Sequence, residues 1–175
     1  MDAGGDRVLH SSHVAVIREV YDGEFAPQGF AMELERALDA CCSVIVIEPT
    51  QLGDETARWI SVGNCLHKTA VLSGLGSIVS GLLWPNNVYL YAPLGMFSTL
   101  CTALYTASWQ FDNCVKYQVE RDPRKLARLQ VVSAMSAASP VVLVRKDDTR
   151  RKILHCTVSL IATTLCAYRL YHLLK

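Results

Sequence analysis

The chain has 175 residues, the size of one compact domain; 51% of it is hydrophobic, 19% is charged and its mean hydropathy is +0.22. A formal net charge of +1, with no Lys/Arg block beyond Arg150, Arg151 and Lys152, gives no electrostatic reason to expect nucleic acid as a partner. The balance describes a small integral membrane protein that also carries folded polar structure.

Residues 1–12 contain Asp2 and Asp6 and lack an apolar core, so they read as a disordered tail rather than a secretory signal. Arg7 alone does not make a cleavable, Arg-rich transit peptide, so internal segments must carry any organelle address. Residues 13–68 read as an α/β membrane-proximal module running into the first membrane helix. Residues 13–21 are rich in Val and Ile and predict a strand. Phe30, Leu34, Ala37, Leu38 and Cys41 recur at helical spacing, and Val44-Ile45-Val46-Ile47 predicts a buried strand. Beyond Gly53, the acidic pair Asp54 and Glu55 marks a helix start near Glu55, where carboxylates complement orphan N–H groups and the helix dipole. That helix carries Trp59, Ile60, Val62 and Leu66 toward the bilayer.

Residues 69–111, roughly 43 in a row, contain no Asp, Glu, Lys, Arg or His. One helix of that length is more than twice what a hydrocarbon core of about 30 Å requires, so the run must fold back. Pro85, Asn86 and Asn87 divide it, because proline ends a helix and asparagine accepts turn geometry. The result is a transmembrane hairpin whose first arm ends at Trp84. Its second arm covers 94–111, with 88–93 as a bent apolar lead-in and the turn near 85–92. Small residues recur at every fourth position, as Ser73, Ser77 and Gly81 on one arm and Gly95, Thr99, Ala103 and Ala107 on the other. Small ridges let helix backbones approach closely in lipid, so these positions are the expected helix-packing interface, within the hairpin, between copies or with a partner helix. Trp59, Lys68, Trp84 and Trp109 are the expected membrane-interface anchors.

Residues 112–150 form a soluble return segment. Within it 117–131, with Leu126 and Leu129 among charges, is weakly helical, and Val141-Val142-Leu143-Val144-Arg145 reads as a strand. Two membrane crossings return the chain to its starting side, so this strand can join Val44–Ile47 in one small sheet. Residues 151–175 form a C-terminal hydrophobic helix. Its apolar part, 153–168, is short for a span and reads equally as a third crossing or a packed helix. The fold class is therefore an α-helical integral membrane protein: a transmembrane helical hairpin, a small α+β membrane-proximal module and a C-terminal hydrophobic helix.

Chemistry is sparse. Seven cysteines at positions 41, 42, 65, 101, 114, 156 and 166 form no CxxC pair and read as small hydrophobes, so no metal and no cofactor is expected. Cys65 with His67 is too isolated for zinc. Glu48, Asp54, Glu55, Arg58 and His67 are the best catalytic constellation, yet capping and i,i+4 pairing explain most of them; no catalytic residue is assigned and no enzyme is expected. The 69–111 run contains no ionisable group of the kind that marks ion pathways, which weighs against transport.

Three strings carry a resemblance: Ile45-Val46-Ile47-Glu48-Pro49-Thr50, Gly53-Asp54-Glu55-Thr56-Ala57-Arg58-Trp59-Ile60, and Val62-Gly63-Asn64-Cys65-Leu66-His67-Lys68-Thr69-Ala70-Val71-Leu72. Ser108-Trp109-Gln110-Phe111-Asp112, Lys116-Tyr117-Gln118-Val119-Glu120 and Pro140-Val141-Val142-Leu143-Val144-Arg145-Lys146-Asp147-Asp148 continue it in order. Together they resemble the mitochondrial transmembrane protein 11 family, also called PMI. The resemblance implies a multi-pass protein of the mitochondrial membrane, conventionally the inner rather than the outer one. It implies a role in mitochondrial morphology and cristae organisation through protein scaffolding. Expected partners are membrane lipids, cristae-junction scaffold proteins, receptors for mitochondrial turnover and a second copy of the chain. The alternative from another class is a small oligomeric channel or carrier.

Overall fold

The computed structural model describes residues 14–18, 26–122, 124, 126 and 140–175. The chain divides into two compact units. One comprises the residues up to Ile60 together with Lys116–Lys146; the other comprises Ser61–Val115 and Asp147–Lys175.

The first unit is built on a four-stranded sheet whose strands, side by side, are β1 (Val14–Ile17), β2 (Val44–Ile47), β4 (Val141–Arg145) and β3 (Tyr117–Glu120). Strand β1 (Val14–Ile17) leads through helix α1 (Ala26–Asp39) to β2 (Val44–Ile47), which it pairs in parallel. A helical crossover is what a parallel pair requires. Phe30, Leu34, Ala37 and Leu38 are the buried stripe of α1, as their spacing predicts. The helix ends in a Schellman motif: Cys42 N–H donates to the Ala37 carbonyl (3.2 Å), Cys41 N–H to Leu38 (3.0 Å), and Cys41 takes φ 55°. A residue with a Cβ is strained there, and glycine is the usual occupant.

Strand β2 is buried at all four positions, in keeping with its uninterrupted Val/Ile run. Strand β4 (Val141–Arg145) pairs antiparallel with β2, placing Ile45 opposite Leu143. Strand β3 (Tyr117–Glu120) adds the outer edge, antiparallel to β4. This corrects the weak helix expected over 117–131. Tyr117 and Val119 sit in a ladder with β4, and the Tyr117 hydroxyl donates to the Cys42 carbonyl (2.7 Å), so tertiary pairing overrides a weak local preference. Leu129 and the rest of 127–131 lie outside the described residues, whereas Leu126 packs against Val44, Val46 and Val142. Positions 13 and 19–21 of the first expected strand also lie outside.

The sheet unites strands that precede the hairpin with strands that follow it. An even number of crossings must therefore separate β2 from β3.

Helix α2 (Thr50–Leu83) starts five residues earlier than the acidic pair suggests. Pro49 is the reason: its carbonyl accepts the first helical bond, from Gly53 N–H (2.9 Å), and its ring ends the preceding strand. Asp54 and Glu55 thus lie beyond the first turn, where Glu55 accepts from Gln51 (3.2 Å) instead of capping.

The second unit consists of the later part of α2, helix α3 (Val88–Ser108) and helix α4 (Thr149–Leu174). The chain reverses through Trp84–Asn87, with Asn87 N–H donating to the Trp84 carbonyl (3.1 Å). Helix α3 already includes 88–93, expected as a non-helical lead-in, and ends three residues before Phe111. An apolar medium requires backbone groups to be satisfied internally, and Pro93, inside the helix, removes only one donor. Helix α4 has 26 residues, longer than its apolar part suggests, because the basic 150–152 segment is helical too. All three helices are long and apolar enough to cross a membrane, including α4 as a third candidate span. Asp147, not the N-cap residue Asp148, holds the start of α4, accepting from both Thr149 N–H (3.0 Å) and Thr149 Oγ1 (2.7 Å).

Candidate functional site

Within the helical unit, large apolar side chains face outward while small and polar ones lie between helices. Leu72, Leu82, Met96, Leu100, Leu160 and Ile161 are all more than half exposed, as lipid-facing residues should be. Inside, Ser77 Oγ donates to the Tyr91 carbonyl (2.8 Å) and lies 3.4 Å from Cys166 Sγ, tying α2 to α3 and α4. Ser98 Oγ donates to the Ala70 carbonyl (2.7 Å) and approaches Ser159 Oγ (3.2 Å), repeating the three-way tie further along. Thr99 and Thr163 meet at 2.7 Å.

The expected packing residues divide into three groups by burial. Ser77, Gly81 and Gly95 are buried in this seam: a Cβ at Gly81 would stand 2.5 Å from Leu165 Cδ2, and one at Gly95 2.6 Å from Cys166 Sγ. Ser73 is half-buried and returns its hydroxyl to the Thr69 carbonyl of its own helix (2.6 Å). Thr99, Ala103 and Ala107 are exposed, and Thr99 and Ala103 line an apolar groove of about 800 Å³ between α3 and α4. Trp59, Lys68 and Trp84 are exposed, whereas Trp109 is buried against Gly63, Tyr105 and Val115. Gly63, Gly74, Ser98 and Ser159 belong to the seam without having been singled out by the four-residue rhythm. Their signal is that helices in three-way contact alternate three- and four-residue steps.

A second cluster joins two histidines, one just before the charge-free run and one near the start of the C-terminal apolar segment. His67 on α2 and His155 on α4 face each other with their Nδ1 atoms 3.2 Å apart, one ring donating and the other accepting. Tyr105 of α3 packs edge-on against His155, with ring centres 4.7 Å apart, and both are fully buried. Arg151 Nη2 reaches within 3.5 Å of the Tyr105 hydroxyl. The buried His155 Nε2 and Arg151 Nε have no partner among the described residues. Of the supposed catalytic constellation, Asp54, Glu55 and Arg58 are exposed along α2, while His67 belongs to this cluster. The signal available in the sequence was a lone histidine at the edge of each of two apolar segments.

A model of a family described as mitochondrial morphogenesis regulator matches residues 13–171, nearly the whole chain. The chain belongs to the mitochondrial morphogenesis regulator family. Similar relatives of this family include Transmembrane protein 11-B, mitochondrial, of Xenopus laevis, 51% identical over 97% of this chain and 92% of the relative. Transmembrane protein 11, mitochondrial, of Danio rerio is 49% identical over 95% of this chain and 89% of its own. The Homo sapiens protein of the same name is 50% identical over 94% and 86%. No solved structure matches the chain. With three membrane-length helices and relatives named as mitochondrial transmembrane proteins, this family member is a helical mitochondrial membrane protein.

Proposed function

We propose that the protein shapes mitochondria as a non-enzymatic scaffold, with the helical unit as its anchor and the sheet unit as its recognition surface. The observation that supports this reading is the division of labour in the helical unit. Its inward polar groups join α2, α3 and α4 to one another, and its outward faces are apolar, as an anchor requires. We place it in the inner membrane, organising cristae together with cristae-junction proteins, turnover receptors or further copies of itself. With α2, α3 and α4 all crossing, the two termini lie on opposite sides.

Protease protection of N-terminal and C-terminal tags tests the placement in intact mitochondria, after rupture of the outer membrane, and in detergent. The expected result is that neither tag is cut in intact organelles and one alone is cut after rupture. Cutting of either tag in intact organelles overturns the inner-membrane assignment; equal exposure of both after rupture overturns the third crossing. On native gels of gentle extracts, the scaffold should migrate in complexes far larger than its 19.3 kDa chain, and migration as a bare monomer counts against scaffolding.

A further inference from the structure

We propose that Lys68 and Arg151, brought together at one end of the helical unit, bind the phosphate of an anionic phospholipid headgroup. The two residues come from different helices but one level of the unit: Lys68 follows His67, whose Nδ1 lies 3.2 Å from that of His155, one helical turn along α4 from Arg151. Two carboxylates stand nearby, and each has a cation of its own. Lys152 is paired with Asp148 (2.7 Å), and Arg150 has Asp147 beside it. Among the described residues Arg151 makes no ion pair; it has only the hydroxyl of Tyr105, and its buried Nε lacks a partner. A half-buried guanidinium without a counter-ion is costly, and a phosphate offers it oxygens in matching geometry.

Helix mechanics point the same way. The first turn of α4 carries Arg150, Arg151 and Lys152, which outnumber the two carboxylates, Asp147 and Asp148, that precede it. The surplus cation adds to the positive end of the helix and attracts anions. The depth fits a lipid phosphate. The charge-free stretch of α2 begins directly after Lys68, and the apolar stretch of α4 directly after Lys152, so both cationic positions lie where hydrocarbon gives way to headgroups. The facing Nδ1 atoms of His67 and His155 also suit a shared metal cation in distance, but the Arg151 guanidinium beside them repels one. No group of three or more metal-ligating side chains occurs among the described residues.

The test uses the full chain purified in detergent, titrated with phosphatidylglycerol, with phosphatidylcholine or with inorganic phosphate, and read by melting temperature and by native mass spectrometry. Phosphatidylglycerol should raise the melting temperature and remain bound as a single copy, while the other two should do neither. Lys68→Gln and Arg151→Gln should each weaken the phosphatidylglycerol effect about fivefold, the worth of one basic residue near an anionic surface. Lys175→Gln should leave it unchanged. Lys68 is exposed, so its variant carries the test even if Arg151→Gln fails to fold. An equal response to phosphatidylcholine, parental affinity in Lys68→Gln, or a shift reproduced by inorganic phosphate would each overturn the proposal, the last pointing to a soluble anion.

Discussion

At Gly74 the helical unit has no room for one added methyl group. A Cβ there would stand 2.6 Å from Val158 Cγ1 on α4 and 2.7 Å from Ser98 Oγ on α3, well inside the 3.4 Å at which ordinary contact begins. Neither neighbour is free to retreat. A helical valine has essentially one χ1 rotamer, and Ser98 is held by the Ala70 carbonyl at 2.7 Å and by Ser159. Overpacking of this kind costs roughly 1–3 kcal/mol, and the better helix propensity of alanine returns at most about 1 kcal/mol. Gly74→Ala should therefore destabilise by about 1–2 kcal/mol, a fall of several degrees in melting temperature for a chain of this size. The assay is thermal unfolding in detergent followed by circular dichroism, for Gly74→Ala, Val158→Ala and the double variant. Truncating Val158 opens the space the new methyl group needs, so the double variant should be more stable than the sum of the singles predicts by at least ~0.5 kcal/mol. A Gly74→Ala protein as stable as the parent, or strict additivity, would refute the close approach of the three helices at this point.

Four further outcomes follow from the same geometry. Ser77→Ala removes a buried interhelical hydrogen bond to Tyr91 and should cost about 0.6 kcal/mol, up to about 1.7, in the same unfolding assay; no change would mean the contact is not formed. Cysteines replacing Ile45 and Leu143, which face each other across β2 and β4, should oxidise to a disulfide, whereas the Ile45 and Val141 pair should not, as read by non-reducing gels. Asp147 has its carboxyl held below the ordinary range by two hydrogen bonds from Thr149, so its support of α4 is present above that ordinary range and is lost as pH falls through the lowered value. Asp147→Asn should accordingly flatten the acid limb of the stability profile and leave neutral pH nearly unaffected. The Cys114 thiol is pushed up to about 12 by burial and by Asp112 beside it, so at pH 8 maleimide should label the exposed Cys41 much faster than Cys114; equal rates would contradict the packing around Cys114.

Much of the architecture was legible because it rests on strong local signals. A charge-free run too long for one span, broken by Pro85, Asn86 and Asn87, dictates a hairpin, and the Val/Ile runs at 14–17, 44–47 and 141–145 dictate strands. The weaker signals misled. Asp54 and Glu55 resemble a helix start, but Pro49 begins the helix sooner, and Tyr117–Glu120 is a strand only because β4 offers it an edge. At the site, the four-residue rhythm runs through Ser77, Gly81 and Gly95 and passes over Gly74, Ser98 and Ser159. A third helix joins the contact, and pairwise periodicity does not register it.

By itself, then, the sequence determined which segments must leave water, where they turn, and the family to which they belong, since hydrophobicity, turn chemistry and extended identity are all properties of the chain read in order. Only the tertiary structure decided which of these segments meet. Ile45 opposite Leu143, the burial of Trp109, and the pairing of His67 with His155 beside Arg151 all join residues far apart in the chain. No local rule selects among the many partners that each isolated residue would satisfy; the choice is made by the packing within each unit.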